Sequence, residues 1–95
     1  MTKQIGVIGA GGWGTAIALL LAKKGHAVAL WARREEFCQH LCKYRENTAY
    51  LPGVLLPANI EITSCLEKAA KAKDLVVIAT PAKAVRTTIE AIKDL

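Results

Sequence analysis

Aromatic side chains are scarce in this chain: Trp13, Trp31, Phe37, Tyr44 and Tyr50 are the five among 95 residues. A core cannot rest on so few rings, so it must be built from Ile, Leu, Val and Ala, within a hydrophobic fraction of 53%. Long apolar runs are also missing. The stretch Thr15–Ala22 is too short for the roughly 20 residues that a bilayer-crossing helix needs, and it ends in Lys23-Lys24-Gly25. No leader pattern precedes Ile5. The expectation is a cytoplasmic protein with no membrane span. Cysteine is limited to Cys38, Cys42 and Cys65, which fits a reducing compartment rather than a disulfide framework. Cys38 and Cys42 share a face if that segment is helical, but no second pair of ligands accompanies them, so no metal site is expected. The formal charge is +5, yet the basic residues are scattered and no aromatic stripe interleaves them, which argues against a nucleic-acid partner. A mild positive field suits an anionic cofactor and substrate, but solvated surface lysines are the simpler account of it. There is no internal repeat and no low-complexity segment.

What is present begins nine residues in. Gly9-Ala-Gly11-Gly12-Trp13-Gly14 is a Gly-x-Gly-x-x-Gly run that follows the apolar segment Ile5–Ile8 and opens a helical pattern. A strand, a glycine turn and a helix N-terminus together make a pyrophosphate site, because unpaired N–H groups and the positive end of the helix dipole face the anion. Gly9 allows the tight turn, Gly11 lets backbone approach the phosphates, and Gly14 lets helix pack close to strand. Glycines that serve only a tight turn are the competing reading.

Alternating patterns follow along the chain. Gln4–Ile8 reads as a strand buried on both faces, and residues 12–24 as a helix with Ile17, Leu20 and Leu21 at helical spacing and Gly25 just past its end. His26–Trp31 reads as a second strand and Arg34–Tyr44 as a short helix. Residues 46–59 contain Pro52, Gly53 and Pro57 and read as a long loop, of a length that is often functional. Ile60–Thr63 is a third strand. Thr63 or Ser64 caps a helix through Ala72, and Ser64-Cys-Leu-Glu67 has the spacing of a capping box. Leu75–Ala79 is a β-branched run read as the fourth strand, and a last helix covers residues 82–95. This βα alternation predicts an α/β fold: a Rossmann-like, doubly wound parallel sheet, truncated at about four strands, in the order 3-2-1-4. Its fourth strand would be an unprotected edge, open to self-association.

One further absence bears on the ligand. Sites that prefer NAD place an acid about 20 residues beyond the glycine motif, to bind the ribose hydroxyls. Here Leu30-Trp-Ala-Arg33-Arg34 occupies that region, and the first acids are Glu35 and Glu36. A guanidinium pairs with phosphate through two parallel hydrogen bonds, so Arg33, with Arg34 beside it, suits the 2′-phosphate of NADP. Arg33 is also placed to stack on the adenine. A pair of solvated arginines before a helix is the plain alternative.

Five segments together carry a resemblance. They are Ile8-Gly-Ala-Gly-Gly-Trp-Gly-Thr-Ala16, Leu30-Trp-Ala-Arg-Arg34, Asn47-Thr-Ala-Tyr-Leu-Pro-Gly53, Leu56-Pro-Ala-Asn-Ile60 and Ala79-Thr-Pro81. They resemble the bacterial NAD(P)-dependent sn-glycerol-3-phosphate dehydrogenases, over essentially the whole chain. The third and fourth segments are the specific ones, and they fall in the long loop. The resemblance implies an enzyme that reduces dihydroxyacetone phosphate to sn-glycerol 3-phosphate with NAD(P)H, for glycerophospholipid synthesis. It implies cofactor contacts at Gly12, Trp13, Arg33, Arg34 and Tyr50, beside the turn glycines Gly9, Gly11 and Gly14. Trp13 would cover the pyrophosphate; as an ordinary apolar residue it would be a packing anchor between helix and loop, and the two roles are compatible. Residues 1–95 would then be a partial N-terminal dinucleotide-binding domain, with the catalytic lysines and a helical substrate domain outside this chain. Lys83 and Lys93 match no catalytic position and read as solvated. One departure is Pro81-Ala82, where many members have Pro-Ser, so a serine hydroxyl is absent there. Two rivals remain at this level: a 3-hydroxyacid or 6-phosphogluconate type of dehydrogenase, and a non-catalytic nucleotide-sensing module.

Overall fold

The computed structural model describes residues 2–93, apart from the side chains of residues 82 and 83. Residues 94 and 95, which the sequence pattern assigns to the last helix, and the Lys83 side chain therefore lie outside the described residues. Among the described residues, six strands and four helices run in the order β1 (Gln4–Ile8), α1 (Gly12–Lys23), β2 (Ala27–Trp31), α2 (Glu35–Tyr44), β3 (Glu46–Asn47), β4 (Leu51–Leu55), β5 (Ile60–Thr63), α3 (Leu66–Ala70), β6 (Leu75–Ile78) and α4 (Ala82–Ile92). Four of the strands form one parallel sheet in the order β5-β2-β1-β6, which is the expected 3-2-1-4 arrangement.

Period-two alternation sorts the sheet's side chains onto two faces. Ile5 and Val7 of β1, Val28 and Leu30 of β2 and Ile60 and Ile62 of β5 join Ala18, Leu19 and Ala22 of α1 and Cys38 and Leu41 of α2 in one cluster. Ile8, Ala29 and the half-buried Trp31 and Val76 meet Ala69 and Leu66 of α3 in another. Gly6 sits at the tightest point of this second layer: a Cβ there would lie 1.7 Å from the Ala69 carbonyl oxygen. The sheet is thus covered on both sides, as a doubly wound fold requires.

Several expectations need correcting. The buried face of α1 is Gly14, Thr15, Ala18, Leu19 and Ala22, whereas Leu20 is 57% exposed. Small residues let the helix axis approach the sheet, and that close approach outweighs the larger leucine. The capping box does not form. Cys65 is the N-cap of α3, its N–H is held by Thr63 Oγ1 at 3.0 Å, and the Ser64 hydroxyl instead hydrogen-bonds the Glu35 carboxylate of α2. The helix also stops early, since Ala72 already has φ +58°. The expectation for the fourth strand holds: β6 is a half-buried edge that pairs with β1 alone among the described residues. Among the described residues no helix is long and apolar enough to cross a membrane.

The expected loop over residues 46–59 contains a two-stranded antiparallel ribbon, β3–β4, with Glu46 opposite Leu55 and Asn47 opposite Leu51. Pro52 does not prevent it, because both strands of a two-stranded ribbon are edge strands, where proline is tolerated. Polar side chains fasten this arm to the sheet domain. Arg45, the left-handed C-cap of α2, donates from Nη2 to the carbonyls of Pro57 (2.5 Å) and Ile60 (2.8 Å). Asn59 donates to the carbonyls of Ala22 and His26 at 2.8 and 2.9 Å.

Candidate functional site

A cleft of about 1000 Å³ opens at the carboxyl ends of β1, β2 and β6. β1 connects toward β2 on one side while β6 lies on the other, so this is the point where strand order reverses and where doubly wound sheets bind ligands. Of the sequence-predicted residues, Gly9, Gly11, Gly12, Trp13, Arg33, Arg34 and Tyr50 all line the cleft. Gly14 does not line it; it is buried beneath the turn.

The glycines divide by what surrounds them. Gly9 has φ +120°, and a Cβ there would sit 2.9 Å from the Ala79 carbonyl. A Cβ on Gly14 would sit 1.7 Å from the Gly9 carbonyl oxygen. These two positions are closed to a side chain by the fold itself. Gly11 differs: its φ is −76°, and no protein atom lies within 4 Å of a Cβ built on it. The fold gives no steric reason for glycine at position 11, but a ligand seated against that backbone would. Gly11 is the N-cap of α1 and supplies no side-chain cap, so the first N–H groups of the helix are left for water or an anion.

The electrostatics agree with that geometry. Among the described residues, Arg33 and Arg34 are the only charged ones that line the cleft, and no carboxylate joins them in its lining. Both are exposed, and they occupy the turn from β2 into α2, where Arg34 is the N-cap. Trp13 is 81% exposed, so the packing-anchor reading of this residue does not hold. A large ring left in solvent at the mouth of a cleft is suited to covering a ligand. Tyr50 is 56% exposed and meets Phe37 of α2 edge-to-face, with ring centroids 6.1 Å apart. Trp31, on the floor of the cleft, is held by its indole N–H on the Ser64 carbonyl at 3.0 Å.

Two participants escaped the sequence reading. Asn47 is fully buried and joins the ribbon to the glycine turn. Its Nδ2 donates to the Ala10 carbonyl and to Thr15 Oγ1, each at 2.8 Å, and its Oδ1 accepts from the Tyr50 N–H at 3.2 Å. The Thr15 hydroxyl in turn donates to the Ala10 carbonyl at 3.3 Å. Asn47 stood in the sequence only as part of a motif, because its partners are 37 and 32 residues away. Thr80, just past β6 and lining the cleft, has a buried hydroxyl with no hydrogen-bond partner among the described residues. Such a group costs about 1–3 kcal/mol while unpaired, and the Thr-Pro ending of the fourth strand was its only signal.

Away from the cleft, Cys38 is buried while Cys42 and Cys65 are exposed, and all three are free thiols. Burial, and then the neighbouring Cys42, push the Cys38 thiol above its usual value of 9.0. Among the described residues no group of three or more His, Cys, Asp or Glu side chains is placed to hold a metal ion.

The chain is similar to known proteins over almost its whole length. The family described as "NAD-dependent glycerol-3-phosphate dehydrogenase N-terminus" matches residues 4–95. The glycerol-3-phosphate dehydrogenase [NAD(P)+] of Prosthecochloris aestuarii is 52% identical over 86 residues, covering 90% of this chain and 26% of that protein. Its namesake from Moorella thermoacetica is 50% identical over 93 residues, covering 98% of this chain and 28% of that protein. The crystal structure of the Coxiella burnetii glycerol-3-phosphate dehydrogenase superposes with a TM-score of 0.93 at 31% identity, over 99% of this chain and 29% of that one. The yeast enzyme from Saccharomyces cerevisiae gives 0.86 at 28% identity, over 98% and 30%. The chain thus spans little more than a quarter of the length of the relatives it matches.

Proposed function

The chain belongs to the NAD-dependent glycerol-3-phosphate dehydrogenase N-terminus family, and from that premise we propose that its cleft binds NAD(P), with NADPH preferred. The observation that carries the proposal is the contrast at the glycine turn. Gly9 and Gly14 are demanded by protein packing, whereas the space over Gly11 is open and faces the N-terminus of α1. A pyrophosphate fits that place. The backbone N–H groups of Gly11, Gly12 and Trp13 would hold its oxygens, and Trp13 and Tyr50 would flank it. Arg33 and Arg34 would receive the 2′-phosphate of NADP.

For the longer protein the reading is an NAD(P)-dependent glycerol-3-phosphate dehydrogenase that reduces dihydroxyacetone phosphate to sn-glycerol 3-phosphate, in the cytoplasm, for glycerophospholipid synthesis. The bound nicotinamide supplies the hydride. This chain's residues bind and orient the dinucleotide, while the acid that protonates the developing alkoxide and the groups that seat the substrate come from elsewhere in the longer protein. Residues 1–95 are accordingly proposed as a partial N-terminal dinucleotide-binding domain without turnover of its own. Its one-sided β6 edge is the proposed route to a homodimer. Family membership sets aside the 3-hydroxyacid and nucleotide-sensing alternatives.

The test is a titration of the chain with NADPH and with NADH, read by the fluorescence of Trp13 and Trp31. The proposal expects saturable binding, tighter for NADPH, with the difference erased by Arg33→Ala. Equal affinity for the two refutes the 2′-phosphate assignment, and turnover of dihydroxyacetone phosphate by the 95-residue chain refutes the division of labour.

A further inference from the structure

We infer that Asn47 is a positioning residue for the phosphate-binding peptide: by holding the Ala10 carbonyl inside the protein it aims the Gly11 N–H into the cleft, and it ties Tyr50 to the same peptide. This rests on the reading of the cleft as a dinucleotide site.

The geometry leads there in steps. Asn47 is 0% exposed, so each of its polar atoms must be paired within the protein or carry the cost of burial. Its neighbours decide how the amide is turned. The Ala10 carbonyl can only accept, so the side-chain NH₂ must face it, and the Tyr50 N–H can only donate, so the side-chain oxygen must face that. Thr15 Oγ1 accepts from Asn47 and donates its own O–H to the Ala10 carbonyl, so donors and acceptors match around the whole ring of contacts. The Ala10 carbonyl therefore receives two donors from the protein interior.

In a planar trans peptide the carbonyl oxygen and the amide hydrogen point in opposite directions. Pulling the Ala10 oxygen inward turns the N–H of Gly11, the other half of that peptide, outward. Outward is the cleft, where the space beside Gly11 is open. Among the described residues that N–H donates to no backbone or side-chain acceptor. Without the two donors on the Ala10 oxygen, a flipped peptide would present a carbonyl to an incoming phosphate in place of a donor. Preorganising the donor removes a reorganisation cost from binding. The hydrogen bond from the Tyr50 N–H makes the arm part of the device, since a shift of the ribbon moves Asn47, and Asn47 sets the peptide.

Asn47→Asp separates the two halves of this role. The nearly isosteric carboxyl group still accepts from the Tyr50 N–H but no longer donates an NH₂ to Ala10 and Thr15. Kd values for NADPH, NADH and inorganic pyrophosphate are measured below the unfolding temperature, alongside the carbonyl ¹³C shift of Ala10 and the amide shift of Gly11. The expected result is a weakening of about tenfold or more, equal for NADPH and NADH because the pyrophosphate is common to both, with the Ala10 carbonyl resonance displaced. A merely structural role would lower the melting temperature and leave both the Kd of the folded protein and the Gly11 response to pyrophosphate in place. A folded Asn47→Asp chain that binds all three ligands like the wild type overturns the inference while the site reading stands. Wild-type chain that binds none of them overturns the site reading, and the inference with it. Where Asn47→Asp fails to fold, Thr15→Val serves as the second variant. It keeps the shape but removes one donor to Ala10, and it is expected to weaken both dinucleotides about threefold. Unchanged affinity for both would again overturn the inference.

Discussion

The parallel sheet and the arm formed by residues 45–59 are held in place by different means. The sheet buries Ile, Leu, Val and Ala on both faces and needs glycine where backbones nearly touch. The arm contributes little to the core beyond Leu56 and the half-buried Leu51 and Val54, and it hangs on the side chains of Arg45, Asn47 and Asn59, which reach the carbonyls of Ile60, Ala10 and Ala22 in the sheet domain. Apolar burial is non-directional and tolerates small movements. Side-chain hydrogen bonds to a carbonyl fix position and angle. The cleft lies between the two regions and draws its glycine turn from the first and Tyr50 from the second. The sheet supplies stability, and the arm supplies register at the cleft.

Substitutions can break this contrast from either side. The largest effect is expected in the sheet domain. Gly14→Ala puts a methyl group 1.7 Å from the Gly9 carbonyl oxygen, and relief requires α1 to move off the strand. A loss of about 4 kcal/mol or more, at the top of the range for single changes, is expected in urea unfolding and is enough to unfold a marginal domain. Leu30→Ala, at a side chain 0% exposed between sheet and helices, should cost about 3 kcal/mol in the same measurement.

Arg45→Ala tests the arm. It removes two hydrogen bonds to the carbonyls of Pro57 and Ile60 and should cost about 2 kcal/mol. Hydrogen exchange should show the loss locally, with faster exchange of the Leu56 amide, which donates to the Arg45 carbonyl, while β1 and β2 amides keep their protection. Uniform acceleration across the sheet would mean that the two regions unfold as one unit, contrary to the contrast drawn here.

Arg33→Ala should leave stability unchanged and reduce NADPH affinity about tenfold while sparing NADH, as expected for the loss of one charge-assisted phosphate contact. The smallest effect concerns Cys38. Its raised pKa means that the folded chain keeps the proton to higher pH than the unfolded chain does. Stability is thus fully present below the thiol's usual value of 9.0 and declines as pH rises from there through the folded pKa. In Cys38→Ala that alkaline decline should be shallower in denaturation curves taken across this range.

The legibility of the two regions in the sequence follows the same division. The four parallel strands and their order were readable because apolar periodicity and βα alternation report burial directly. The glycine turn was readable because strand, glycines and helix are contiguous. What did not show was anything set by a distant partner. Ser64 looked like a helix cap until Glu35, 29 residues earlier, claimed its hydroxyl. β3 spans two residues, too short for any pattern, and β4 contains a proline. The α1 face was misread because close packing favours Ala18 and Ala22 over Leu20, a preference that hydrophobicity alone does not register. Gly6 passed as an ordinary strand residue, since only the fold brings the Ala69 carbonyl over it. Asn47 and Thr15 are ordinary polar residues until the chain closes on itself.

The central claim is that the cleft takes a dinucleotide across both regions, with its phosphates on the glycine turn. An amide NMR titration of the chain with NADPH tests it most directly. The account predicts saturable shifts that are largest at Gly11, Gly12 and Trp13, extend to Arg33 and Arg34, and appear across the gap at Tyr50. Saturable shifts confined to other parts of the molecule, or none at all, would contradict it.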